Sequence, residues 1–226
     1  MQNQKTFQTR LRRLIGVAIF TALAYVVMLL IHFPVSFLTL DVKDAIITLC
    51  GLCFGPFAAL FSAIVVPLIE MVTVSNTGIY GFLMNFLGTA SFAVTVSVIY
   101  KYRRNFWGAI IGLLSGVCVM TAVMMLFNLI VTPKYMHVDV AVVKNMIPKL
   151  LLPFNLVKAV FNAAVVLLLY KPISTALQRT GFLPLSDAKL RWNIRTILVT
   201  VVAVALMVGS IVVIFRVLGG SFRFGI

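Results

Sequence analysis

The chain has 226 residues, 62% of them apolar and 11% charged, with a mean hydropathy of +1.12. That composition excludes a soluble globular domain and requires a membrane protein. Five acidic residues against nineteen basic ones leave a net charge of +14, but the basic residues sit in short segments beside apolar runs, where anionic lipid and the positive-inside rule place them; a nucleic-acid binder would gather them on a water-exposed face among aromatics, so no nucleic acid is expected as a partner.

The first thirteen residues carry Lys5, Arg10, Arg12 and Arg13 and precede an apolar run too long for a signal-peptide core, with no clear small-residue cleavage site behind it. They are expected to remain attached as part of the first membrane helix. Runs free of Asp, Glu, Lys and Arg cover 14–40, 45–69, 71–100, 105–133 and 196–215, and Lys158 interrupts a further one at 150–170. A span takes about 20 apolar residues to cross a hydrocarbon core of about 30 Å, so six helices follow directly. Gly55-Pro56 and Ser75-Asn76-Thr77-Gly78 cut the region 45–100 into 45–54, 56–74 and 79–100. If the first, short piece crosses, twelve basic residues fall on the cytoplasmic side and six outside; if it does not, the split is nine and nine. The first division obeys the positive-inside rule.

The sequence therefore predicts an all-α polytopic membrane protein with seven helices near 12–33, 42–54, 56–74, 79–100, 106–131, 149–170 and 195–215, the N-terminus cytoplasmic and the C-terminus outside. The second helix is short and is expected to tilt or to rely on snorkelling flanks. A polar stretch at 171–194 sets the last helix apart. The domain division is a six-helix membrane domain at 1–175, a cytoplasmic linker at 176–194, and an extra membrane helix with a short tail at 195–226. No internal repeat is evident, so an inverted-repeat transporter gains no support.

Residues able to do chemistry are few. Asp41, Asp44, Glu70, Asp139 and Asp187 are all the acids in the chain, and no His-Glu-x-x-His, Gly-x-Ser-x-Gly or phosphate-binding Gly-x-x-x-x-Gly-Lys-Ser/Thr pattern occurs. Catalysis and unaided ATP hydrolysis are thus not expected; ATP-driven transport would need another subunit. Cys50, Cys53 and Cys118 lie in apolar runs and read as reduced packing residues, because Cys50-Gly-Leu-Cys53 has ligand spacing but no histidine near it. His32 and His137 fall where spans reach the outer surface and read as interfacial residues. No metal site and no resident cofactor are expected.

Glu70 and Lys158 are the ionisable residues within apolar runs, which makes each a functional candidate. Glu70 could instead snorkel from the outer end of its helix, whereas Lys158 lies nearly three turns into its own. Asn85, Asn128, Asn155 and Asn162 each need partners in a membrane interior. Asn155 and Lys158, three apart, share a helix face, and Pro153 before them frees backbone groups near the outer end. With Asn128 they converge at one depth, the makeup of a small-molecule pocket. The alternating segment at 37–44 suits an extended cap over its outer mouth. Ala18-x-x-x-Ala22 and Gly108-x-x-x-Gly112-x-x-x-Gly116 mark packing faces whose partners, within this chain or another, stay open.

Four stretches then resemble a known family: Leu38-Thr-Leu-Asp-Val-Lys-Asp44, Gly51-Leu-Cys-Phe-Gly-Pro56, Asn128-Leu-Ile-Val-Thr-Pro-Lys-Tyr-Met136, and Leu152-Pro-Phe-Asn-Leu-Val-Lys158 with Leu169-Tyr-Lys-Pro172. Across residues 10 to about 175 the chain resembles the substrate-binding S component of energy-coupling factor (ECF) vitamin transporters, and within it the riboflavin-specific members. The resemblance implies a six-helix bundle that takes a vitamin from outside and associates with a transmembrane coupling protein and two cytoplasmic ATPase subunits. It implies that Asn128, Asn155 and Lys158 contact the flavin, that the loop around Leu40 and Asp41 covers it, and that Ala18 and Ala22 face the coupling protein. Asn85 joins the ligand set through a similar fourth-helix pattern. The chain departs from the family at Ile46, where a proline is common, and in its seventh helix. Amides and one lysine suit a planar heteroaromatic ring. Lysine suits a carboxylate too, which keeps pantothenate, biotin, folate or a queuosine-like base open as ligands; an unrecognised membrane enzyme or assembly factor is the reading from another class.

Overall fold

The computed structural model describes residues 2–182, 194–221 and 223–224; most of the expected linker, including Asp187, lies outside them. The seven expected helices are present as α1 (Gln2–Leu30), α2 (Lys43–Phe54), α3 (Pro56–Thr73), α4 (Gly78–Tyr102), α5 (Phe106–Met136), α7 (Leu152–Arg179) and α8 (Ile194–Arg216), with a seven-residue α6 (Val140–Met146) before α7. Among the described residues, six helices are long and apolar enough to cross a membrane, α2 being the short exception.

Local chemistry sets the boundaries. Gly55 takes φ 95°, which a side chain would resist, and Pro56 opens α3 at a position where its missing N–H costs nothing. Asn105 caps α5 by accepting from the Gly108 N–H at 2.7 Å, and Asp139 caps α6 by accepting from the Ala141 N–H at 3.0 Å. His137 ends α5 in the left-handed region. A π-helical turn, Ile147–Leu151, joins α6 to α7.

Two expected boundaries move. α1 stops at Leu30, and residues up to 41 form a hairpin of β1 (Ile31–Val35) and β2 (Leu38–Asp41), because Pro34 breaks the helix and β-branched and aromatic neighbours suit an extended chain. α7 continues to Arg179, past the expected end at 170 and through Pro172, so the first residues of the expected linker are helical. A third strand, β3 (Arg223–Phe224), pairs with β1, giving the order β2-β1-β3.

At about 1.5 Å per residue α2 is roughly 18 Å long, too short for a hydrocarbon core, and every residue in it but Cys53 is buried. It packs inside the bundle against α1, α3, α4 and α7. Gly112 and Gly116 of α5 face α4: a Cβ on Gly116 would come within 2.7 Å of Val96 and 3.0 Å of Phe92, and one on Gly112 within 3.1 Å of the Val96 carbonyl, while Gly108 packs on Arg103. That small-residue face is therefore used within the chain. The face holding Ala18 and Ala22 is exposed, on the side of α1 away from the buried Val17, Phe20 and Ala24.

Candidate functional site

A cavity of about 360 Å³ lies beneath the hairpin, walled by β1 and β2, the α3–α4 turn, and the facing sides of α4, α5 and α7. The size falls within the range of roughly 300–1,000 Å³ usual for small-molecule sites. Met84, Met120, Met124 and Phe154 supply apolar wall, and Asp41, Asp44, Glu70, Asn85, Asn128, Asn155 and Lys158 supply polar wall. Asp41, Asn85, Asn128, Asn155 and Lys158, singled out from sequence, are thus brought to one cavity. Leu40 is not: as the strand alternates, its side chain turns into the core, 1% exposed, while Thr39 and Asp41 line the space.

Ion pairs organise one side of the cavity. Lys158 Nζ lies 3.3 Å from Asp41 Oδ2 and 3.8 Å from Asp44 Oδ2, and donates to the Thr39 carbonyl at 3.1 Å. Lys43 Nζ lies 3.2 Å from the same Asp41 oxygen and donates to Glu70 Oε2 at 2.7 Å. Glu70 Oε1 accepts from Asn85 Nδ2 at 3.1 Å, and Asp44 Oδ1 accepts from Thr89 Oγ1 at 2.5 Å. Burial alone would raise the Asp41 carboxyl; Lys158 and Lys43 outweigh it and hold the group below its ordinary value. Glu70 belongs to this network rather than snorkelling.

The amides divide into two kinds. Asn162 is a clamp, accepting from the Ala45 N–H at 2.8 Å and donating to the Asp41 carbonyl at 3.0 Å, so it fixes where β2 turns into α2. Asn128 and Asn155 each spend one N–H on their own helix, on the carbonyls of Met124 and Leu151, both at 2.7 Å, and present the rest of the amide at the cavity wall. Thr132 donates to Asn128 Oδ1 at 2.8 Å, fixing its orientation.

Two buried polar atoms on the cavity wall, His32 Nδ1 and Asp44 Oδ2, have no hydrogen-bond partner. Such atoms are costly unless a bound molecule completes them. His32 is therefore a cavity residue as well as an interfacial one. Lys43, Asp44, Thr89 and His32 join the site or its ion-pair network without being expected there from the sequence. The dense charge of Asp41-Val-Lys-Asp44 was the available signal, since four consecutive positions with three charges do not sit beside an apolar helix without partners. Cys50 is buried with Ser62 Oγ 3.9 Å from its sulfur, a packing role. Among the described residues no group of three His, Cys, Asp or Glu is arranged to hold a metal ion.

Residues 12–174 match the family described as the ECF transporter substrate-specific component. The chain is 33% identical over 178 residues to the riboflavin transporter RibU of Staphylococcus aureus (strain TCH60), covering 74% of this chain and 93% of that protein. It is 26% identical over 174 residues to the riboflavin transporter FmnP of Bacillus subtilis (strain 168), covering 71% and 91%. A solved S component of a bacterial ECF transporter superposes with a TM-score of 0.64 at 31% identity, over 79% of this chain and all of that one. These matches displace the enzyme and assembly-factor reading. The chain belongs to the substrate-specific components of ECF transporters, multi-pass membrane subunits that bind a ligand and carry out no covalent chemistry.

Proposed function

We propose that this subunit captures riboflavin, or a close flavin, at the outer face of the cell membrane for uptake driven by ATP hydrolysis on partner subunits. The observation that carries the reading is the charge balance of the cavity. Three carboxylates, of Asp41, Asp44 and Glu70, and one ammonium group, of Lys158, line it, and Lys158 is already engaged by Asp41, Asp44 and a backbone carbonyl. An anionic vitamin such as pantothenate, biotin or folate would meet carboxylates with no free cation to receive it. A neutral, planar ring with donors and acceptors along one edge suits Asn128, Asn155 and the His32 Nδ1 and Asp44 Oδ2 atoms that accept no hydrogen bond. The names of the two relatives, both riboflavin transporters, point the same way.

In this reading Asn85, Asn128, Asn155 and Lys158 contact the ligand, while Asp41 and Leu40 belong to the lid, Leu40 by packing it onto the core. The exposed Ala18 and Ala22 receive the transmembrane coupling protein, which joins two cytoplasmic ATPase subunits. The N-terminus is cytoplasmic in this reading, as the loop charges ask, and lies at the end of the bundle where Arg12 and Arg13 bond to the carbonyls of Gly181 and Phe54. Residues 1–175 form the binding domain, 176–194 the cytoplasmic linker, and 195–226 the added helix and tail.

Titration of the purified protein with riboflavin, followed by quenching of flavin fluorescence, tests the assignment. Saturable binding is expected, with pantothenate, biotin and folate in large excess failing to compete. Displacement by any of these would overturn the choice of vitamin.

A further inference from the structure

The family match ends at residue 174, yet α8 and β3 do not hang free of the bundle. α8 packs along α7. Near its end Ile214 is buried in the core, and the Phe215 ring meets Phe33 of β1 edge-on at 5.9 Å. The chain then turns through Gly219, at φ 66°, and runs hard against the hairpin. A Cβ on Gly220 would fall 2.6 Å from Ile214 and 2.9 Å from Val35, so only glycine lets the backbone pass there. The Ser221 N–H donates to the Pro34 carbonyl at 3.1 Å. Beyond it, β3 pairs antiparallel with β1, Arg223 opposite His32 and Phe224 opposite Ile31.

β1 thereby becomes the central strand of three. A lone two-stranded hairpin is marginally stable in water, and without β3 this one would leave an open edge. The same hairpin supplies His32, Pro34, Leu38 and Thr39 to the cavity wall. Displacing it would uncover that wall of the cavity.

We propose that α8 and β3 are a membrane-anchored strap that holds the hairpin shut over the cavity and sets the rate of ligand exchange. The proposal rests on the reading of the cavity as a vitamin site. A 23-residue apolar helix gives the strap a fixed point in the bilayer, and Ala18 and Ala22 on α1 stay exposed with α8 in place, so the strap acts on the lid and not on the coupling face.

The test uses the full chain in lipid nanodiscs and two variants: Ser221→Pro, which removes the N–H given to Pro34, and a chain ending at Gly220, which keeps α8 and lacks β3. Hydrogen exchange of the ligand-free protein reads the strap directly. Amides of residues 31–41 should exchange roughly tenfold faster in both variants, the loss of about 1.4 kcal/mol of protection, with α4 and α5 unchanged. Stopped-flow fluorescence reads the consequence, and riboflavin dissociation should also accelerate about tenfold. Unchanged lid exchange in both variants would overturn the strap; faster lid exchange with an unchanged dissociation rate would overturn its control of the ligand. A full chain that binds no riboflavin would overturn the vitamin reading alone, the exchange data still deciding whether the tail holds the lid.

Discussion

Lys158 Nζ and Asp41 Oδ2 lie 3.3 Å apart although 117 positions separate the two residues, which ties the second turn of α7 to the last residue of the hairpin. The same ammonium reaches the Thr39 carbonyl. Lys158 therefore latches the hairpin as well as lining the cavity.

Replacing Lys158 by Met should damage both properties. It leaves Asp41 and Asp44 short of a cation in a buried place, a situation that costs about 3–5 kcal/mol. Thermal unfolding should shift down by many degrees and riboflavin affinity should fall at least about a hundredfold, about 2.7 kcal/mol. Wild-type values for both would contradict the latch.

Asn155→Ala and Glu70→Gln should separate binding from stability. Asn155 bonds only to its own helix among the contacts described above, so its loss should weaken riboflavin about tenfold or more while costing about 1 kcal/mol of stability. Glu70→Gln keeps a partner for Asn85 but removes the charge facing Lys43. It should cost about 1–2 kcal/mol of stability and change affinity less than Asn155→Ala does. Paired titrations and melting curves decide, and equal tolerance of both substitutions would remove the pocket as drawn.

Acid should open the lid network. Because the Asp41 carboxyl is held below its ordinary 3.8, it stabilises the fold at neutral pH and loses that contribution as pH falls through the folded-state value. Melting temperatures should be level above about pH 5 and decline below about pH 4, and Asp41→Asn should be less stable at pH 7 with a shallower acid decline. A wild-type decline already under way at pH 6–7 would place the responsible group elsewhere.

The two small-residue stripes should respond differently to bulk. Gly116→Val forces a methyl into Val96 and Phe92 and should destabilise the protein by about 1–3 kcal/mol. Ala22→Leu, on the exposed face of α1, should leave melting and riboflavin binding unchanged while abolishing co-purification with the coupling protein. A substantial loss of stability in Ala22→Leu would mean that this face packs within the chain.

What could be read from sequence followed the range of the physics. Apolar runs and Gly-Pro breaks report on their own neighbourhood, so the seven helices and the shared face of Asn155 and Lys158 were legible. The partnership of Lys43 with Glu70, 27 positions away, and the return of the tail to β1 are pairings that no local pattern encodes. Leu40 shows the period-2 limit: the loop was legible as extended, but which alternate residues face the cavity depends on strand register, and register is fixed by the pairing of Phe33 with Leu40. Loop charge asks for a short second helix; the structure buries it inside the bundle, running from the hairpin to Phe54, with a first turn that carries Lys43 and Asp44 into the network.

The most direct measurement of the central claim is the visible absorption and flavin fluorescence of the protein purified from cells grown with riboflavin. The account predicts a yellow preparation with flavin bands and one flavin per chain, the colour lost in a Lys158→Met, Asn155→Ala double variant. A colourless preparation that also fails to quench added riboflavin would contradict it.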